Sequence, residues 1–319
     1  MQSISRYLFP GLVAMFAVAC LYQVRGDLAA ISLAPLLRSW DLVAVAALCS
    51  LLNYAFRIVR WQRYLARLGR RLPLGFVGLT YVAGFAFTVS PGKVGEMARA
   101  RYYSRLGVSL SDVAGAFFVE RLMDVMAMLV LAALMAAAAP SYHAAMWSAG
   151  IMVIVALVCL SVTPWNAIAG WLEADHRLPR AVVRLGSGVT KALSAARTLL
   201  SPGALLFGFL MGLAAWGLEG IGFFVLGSMF PAGHLTVTLG AGIYAVAVLV
   251  GAISFLPGGL GSTEAVMAAL LAAQGFAVAD ALLVTIVCRI VTLWLAVLIG
   301  WAAVFALRNR LEPAVSPWP

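Results

Sequence analysis

Pro91-Gly92-Lys93-Val94-Gly95-Glu96 and Pro257-Gly258-Gly259-Leu260-Gly261-Ser262-Thr263-Glu264 decide how this chain is read, because they spell nearly the same element twice between long apolar stretches. From each glutamate the next arginine inside an apolar helical stretch follows at the same interval, Glu96 to Arg121 and Glu264 to Arg289. Each copy thus joins a helix-breaking turn to a carboxylate and a guanidinium. The turn residues are Pro91, Gly92 and Gly95 in one copy, and Pro257, Gly258, Gly259 and Gly261 in the other. Proline donates no backbone hydrogen bond, and glycine opens conformations closed to other residues. In segments apolar enough for a bilayer, freed backbone groups and charges are expensive, and they mark a working site.

The surrounding composition puts those segments in a membrane. Of 319 residues, 64% are hydrophobic and 11% charged, against about 45–50% and about 25% in soluble domains. Apolar runs recur at 8–24, 42–56, 125–139, 146–162, 204–230, 237–256 and 281–307. The run at 8–24 has no small-residue cleavage site after it and reads as a retained helix, not a signal peptide. The expected fold is an all-α polytopic integral membrane protein with about six to eight transmembrane helices, each of about 20 residues.

Cys20, Cys49, Cys159 and Cys288 are scattered through apolar runs, and His143, His176 and His234 form no ligand cluster. Packing is their expected role, and no metal or cofactor is expected.

The net charge of +10 orients the chain. Arg57, Arg60, Arg63, Arg67, Arg70 and Arg71 lie between the second and third apolar segments, and Arg177, Arg180, Arg184, Lys191 and Arg197 after the fifth. Excess Lys and Arg in short loops mark the cytoplasmic side. With Arg6, Arg308 and Arg310 they place both termini in the cytoplasm of a multi-pass protein of a bacterial-type inner membrane. Basic residues beside apolar spans are explained by orientation and by anionic lipid headgroups at the cytoplasmic face, so no nucleic-acid partner is expected.

That orientation has a consequence for residues 75–105. If 75–90 crossed outward, Lys93, Arg99, Arg101 and Arg105 would land outside, against the charge rule. A re-entrant hairpin turning at Ser90-Pro91-Gly92 removes the conflict. Following the chain onward, 237–256 descends to the second Pro-Gly turn and 263–276 returns, so the second hairpin enters from the opposite face. Two re-entrant helical hairpins of this kind describe an inverted-topology internal repeat, a construction that places a transporter's site near the membrane midplane. The expected organisation is one transmembrane domain over 1–319, with a first half at 40–139 and a second at 203–307. Between them, 165–201 reads as a cytoplasmic amphipathic connector.

The candidate substrate-binding residues are Lys93, Glu96, Arg99, Glu120, Arg121, Asp124, Glu219, Glu264 and Arg289. Glu120-Arg121-x-x-Asp124 has the spacing of charges on one helix face, which suits either an ion pair locking helices or the wall of a site. Arg289 has no acidic neighbour within a turn, so its partner must come from elsewhere, with Glu264 or Glu219 the natural candidates. Glu219, flanked by Gly217, Gly220 and Gly222, is either a hydrogen-bonded interior carboxyl or a cavity group able to carry a proton. Arg99, Arg101 and Arg105 read as a headgroup-facing stripe that could also gather anionic lipid at a cavity mouth. Trp40, Trp61, Trp147, Trp165 and Trp301 read as interfacial anchors.

Pro91-Gly92-x-x-Gly95-Glu96-x-x-Arg99, then Glu120-Arg121-x-x-Asp124, then Leu256-Pro257-Gly258-Gly259-Leu260-Gly261 with Glu264, resemble the flippase-like family typified by the transmembrane region of lysylphosphatidylglycerol synthase. The resemblance runs from about residue 40 to 307. It implies a polytopic helical domain that moves a modified phospholipid, a lipid-linked sugar or another polar lipid between leaflets. The soluble aminoacyl-transferring domain of bifunctional members has no counterpart before Pro319, so synthesis of the lysyl lipid is not expected. The functional expectation is a non-enzymatic lipid transporter with a membrane lipid as substrate and a lipid-modifying enzyme as candidate partner. The alternatives are an integral membrane headgroup transferase and a non-transporting scaffold of a lipid-assembly complex.

Overall fold

The computed structural model describes residues 32–136, 143–174, 179–230 and 234–311, and the apolar run at 8–24 lies outside them. Those residues form helices and turns, with no strand among them. In order the helices are α1 (Ala34–Arg38), α2 (Trp40–Arg67), α3 (Leu74–Phe85), a 3-10 segment (Pro91–Arg99), α4 (Ala100–Ser104), α5 (Leu110–Ala136), α6 (His143–Val162), α7 (Trp165–Ala174), α8 (Arg180–Arg197), α9 (Pro202–Gly227), α10 (Val237–Ile253), a second 3-10 segment (Pro257–Gly259), α11 (Ser262–Ala272), α12 (Val278–Arg289), a π-helical turn (Ile290–Trp294) and α13 (Leu295–Leu311).

Among the described residues, three stretches are long and apolar enough to cross a membrane: Trp40–Arg67, Pro202–Gly227 and Val278–Arg308. At 1.5 Å per residue, the 28 residues of α2 reach about 42 Å, enough for a hydrocarbon core of about 30 Å. The 12 residues of α3 and the 11 of α11 reach only about 18 and 16 Å, so neither crosses alone.

The two Pro-Gly turns begin alike and then diverge, the first running into a nine-residue 3-10 segment and the second into a three-residue one. Ser90 and Leu256, the residues before the prolines, are extended at ψ 148° and 145°, as the proline ring requires of its predecessor. Two residues beyond each proline the backbone has a positive φ, at Lys93 (57°) and Gly259 (66°), although in the second turn Gly258 (62°) has already entered that region. Gly95 donates its N–H to Ser90 Oγ at 2.6 Å, and Gly261 donates its own to Glu264 Oε2 at 2.6 Å. The turns pack on each other, with Gly258 against Val89.

Helices of the two halves interleave. α2 packs along α9, α5 along α10, and α3 along α13. The α3–α13 seam depends on Gly300, where a Cβ would run into the backbone of Phe85 and Ala86. The apolar core among the described residues falls into two large clusters and a small third one. Of the large ones, one gathers Phe223, Tyr244, Met267 and Val284, and the other gathers Trp61, Tyr81, Tyr103 and Met123.

Two readings of the sequence are corrected by this packing, and the connector is seen in more detail. Arg57 and Arg60 are not loop charges: both are buried, on the inner face of α2. Trp61 is not an interfacial anchor, because it is fully buried and its indole N–H donates to Tyr103 at 3.0 Å, whereas Trp40 and Trp301 are exposed. The connector at 165–201 is two helices, α7 and α8, which pack on each other, with α8 lying along α5.

Candidate functional site

The site is built outward from α5, whose Glu120, Arg121 and Asp124 sit within one turn. Glu120 is buried completely and is surrounded by donors. Arg99 Nη2 lies 2.8 Å from its Oε2, Arg60 Nη2 lies 3.3 Å from Oε1, and the Tyr81 hydroxyl donates to Oε1 as well. Asp124 accepts from Arg60 at 2.7 Å and pairs with Arg121 at 3.1 Å. Taking these charges out of water costs several kcal/mol each, and the cost is offset only by this density of opposite charge. Arg99 is held further by stacking, 3.6 Å above the Trp61 ring and 4.5 Å above that of Tyr81.

A second set of ion pairs joins the two Pro-Gly turns to the helices that follow them. Glu96 accepts from Thr88 Oγ1 at 2.8 Å and stands 3.7 Å from Arg57 and 3.9 Å from Arg121. Glu264 receives Arg289 Nε at 2.6 Å, and the same guanidinium donates to the Gly258 carbonyl at 2.6 Å. Glu96–Arg121 and Glu264–Arg289, which share one sequence interval, are both in ion-pair range. Of the two partners foreseen for Arg289, Glu264 is the one it contacts.

Both sets border a central cavity of about 170 Å³. Arg57, Lys93, Arg121, Asp124, Glu219 and Arg289 line it, so its wall carries four cations against two carboxyls. Gly258 and Gly259 line it as well, so both Pro-Gly turns reach it. The donors on this wall are not used up internally. Arg57 Nε and Nη2, Arg121 Nε and Trp216 Nε1 are buried without a hydrogen-bond partner, whereas Arg121 Nη2 is held in ion pairs with Asp124 and Glu120. Unpaired buried donors are costly, and a ligand with acceptor oxygens would satisfy them. Arg57 and Lys93 also approach the Trp216 ring, at 5.7 and 5.2 Å from its centroid. The matched family is described as the lysylphosphatidylglycerol synthase TM region, over residues 8–300.

The chain belongs to the lysylphosphatidylglycerol synthase TM region family. No curated protein matched in a search with this sequence. The match joins the apolar helices in identifying a multi-pass membrane protein with a lipid-related function. In this member of the lysylphosphatidylglycerol synthase TM region family, the nominated residues divide by position. Lys93, Arg121, Asp124, Glu219 and Arg289 face the cavity, while Glu96, Glu120 and Glu264 stand behind its wall and pair with its arginines, and Arg99 stands behind it paired with Glu120. Arg99 therefore leaves the headgroup-facing stripe to which its spacing assigned it, whereas Arg101 and Arg105 are exposed. Among the described residues, no group of three or more His, Cys, Asp or Glu side chains is placed to hold a metal ion.

Sequence reasoning missed Arg57 and Arg60 as site residues. A signal was present: Ser50, Asn53, Arg57, Arg60 and Tyr64 recur every three or four residues within an apolar helix, which is one polar face. That face meets α9, where Asn53 Nδ2 donates to the Ala215 carbonyl at 2.8 Å and Ser50 donates to Glu219 at 3.0 Å.

Proposed function

We propose that this chain moves a lipid with an anionic or phosphate-linked polar headgroup between leaflets, the headgroup crossing through the central cavity while the acyl chains stay in lipid. The observation that carries this reading is the cationic excess on the cavity wall, where donors of Arg57, Arg121 Nε and the Trp216 indole lack hydrogen-bond partners. A phosphate oxygen accepts such donors from several directions, and guanidinium suits it best.

The two Pro-Gly turns are read as tips of re-entrant hairpins that enter from opposite faces, which makes the halves an inverted repeat. The short reach of α3 and α11 supports this, as do the like beginning of the two turns and their contact. Both termini are then cytoplasmic, in a bacterial-type inner membrane. Exposure to alternate sides would follow from rocking one repeat against the other. The π-helical turn at Ile290–Trp294 is the natural pivot, since it directly follows Arg289 and its Thr292 carbonyl accepts from Tyr54 at 2.7 Å. The reading assigns no covalent step to the chain, and it leaves a lipid-modifying enzyme as the partner that would supply the cargo.

The test is leaflet transfer of a fluorescent phosphatidylglycerol in vesicles containing the purified protein. Transfer above that of empty vesicles is expected, and it should be lost when Glu96 and Glu264 are both replaced by alanine. Unchanged transfer in the double variant counts against the reading. A change in lipid mass after incubation with a headgroup donor would favour the transferase instead.

A further inference from the structure

Glu219 differs from every other carboxyl around the cavity. Glu96, Glu120, Asp124 and Glu264 each have an arginine nitrogen within 4.0 Å. Among the described residues no cation lies within that distance of Glu219, whose hydrogen-bond partner is the neutral Ser50 hydroxyl. The residue is nonetheless buried and lines the cavity. Its helix is pressed close to its neighbours there: a Cβ at Gly220 would collide with Ala241 of α10, and one at Gly222 would touch Ala46 of α2.

The groups that face Glu219 come from all the packed elements. α2 contributes Cys49, Tyr54 and Arg57, the first 3-10 segment Lys93, α10 Tyr244, and α12 Cys288 and Arg289. Arg121 and Asp124 of α5 line the same cavity. The thiols and phenols are neutral and lend a carboxylate no charge compensation. Arg57, Lys93 and Arg289 do, but only across the cavity, from the wall where an anion would bind.

We propose that Glu219 is a proton-binding site linked to occupancy of the cavity, so that an anionic headgroup and a proton are taken up together. The site itself stands on geometry, and the linkage rests on the transport reading above. An anion seated against Arg57 and Lys93 would take up the field that favours an ionised Glu219 and add a negative charge of its own. An unpaired charge at membrane depth is expensive, and binding a proton removes it. The coupling is reciprocal, so protonation of Glu219 raises affinity for the anion by the same factor. The proton offsets the charge that a monoanion brings, so the filled cavity reorients with the same net charge as the empty one.

The experiment uses the full chain in vesicles of phosphatidylethanolamine and phosphatidylglycerol, with Glu219→Gln and Glu219→Asp beside the wild type. Glutamine keeps the Ser50 acceptor without a titratable proton, and aspartate keeps the proton. Infrared difference spectra on acidification should show a protonated-carboxyl band in the wild type, shifted by Glu219→Asp and absent in Glu219→Gln. A proton gradient should accelerate transfer of fluorescent phosphatidylglycerol by about fivefold or more, the lower end of ordinary coupling between sites. Glu219→Gln should ignore the gradient. If no band depends on Glu219, the proton site is overturned. If the wild type moves lipid but ignores the gradient, or Glu219→Gln still responds to it, the linkage is overturned while transport stands. A Glu219-dependent band in a protein that moves no lipid overturns transport, and the linkage with it.

Discussion

Arg289 donates through Nε to Glu264 at 2.6 Å and through Nη2 to the Gly258 carbonyl at 2.6 Å, so one guanidinium fastens α12 to both the second Pro-Gly turn and the start of α11. Its counterpart Arg121 is looser, at 3.9 Å from Glu96, because it is shared with Glu120 at 3.3 Å and Asp124 at 3.1 Å. The tight pair fixes a turn, and the loose one leaves donors facing the cavity.

Arg289→Met should detach that turn. The side chains of Arg289 and Glu264 are 10% and 24% exposed. The expected loss is therefore about 2 kcal/mol, between the limits for surface and fully buried pairs. Denaturant unfolding in mixed micelles measures it. Leaflet transfer should fall with it, since the freed Gly258 carbonyl no longer holds the turn.

Arg60→Met should be more damaging to folding although Arg60 does not line the cavity. It would take a fully buried donor from Asp124 and Glu120, leaving Arg121 on Asp124 and Arg99, Arg121 and Tyr81 on Glu120. Breaking a buried pair costs about 3–5 kcal/mol, and with those partners left the loss falls at the lower end of that range. The check is thermal stability of the purified protein, where a variant as stable as the wild type would contradict the burial argument.

Lys93→Gly should separate stability from function. Lys93 holds φ 57°, a conformation that its counterpart Gly259 adopts without strain. Relief of left-handed strain is worth about 1–2 kcal/mol and opposes the extra unfolded-state entropy of glycine. The melting temperature should hold or rise while leaflet transfer falls, because the ammonium beside Trp216 is gone. Unimpaired transfer would remove Lys93 from the site.

Gly95→Ala should disrupt the first turn. The new methyl would lie 2.5 Å from the Phe87 carbonyl oxygen and 2.7 Å from Ser90 Oγ, the acceptor of the Gly95 N–H. Overpacking costs about 1–3 kcal/mol. A lowered melting temperature is expected, with Gly217→Ala, which meets nothing within 4 Å, as the neutral control.

The membrane class, the two Pro-Gly turns and the paired glutamates and arginines were legible in the chain itself. Apolar run length, proline geometry and the cost of charge in hydrocarbon act locally, so sequence carries them. Residues 57–61 were misread for the same reason. A row of arginines after an apolar run resembles a cytoplasmic loop until the helix is known to continue to Arg67, turning Arg57, Arg60 and Trp61 inward.

Sequence alone determined that Glu96, Arg121, Glu264 and Arg289 need partners in an apolar setting. Only the tertiary structure decided which partners they take, and which groups face the cavity. That choice depends on how α2, α5, α9 and α12 rotate against one another, and a rotation of one residue, about 100° on a helix, exchanges a wall cation for one buried behind it. Close packing of glycine faces fixes those rotations, as where Gly220 admits α10 beside Glu219.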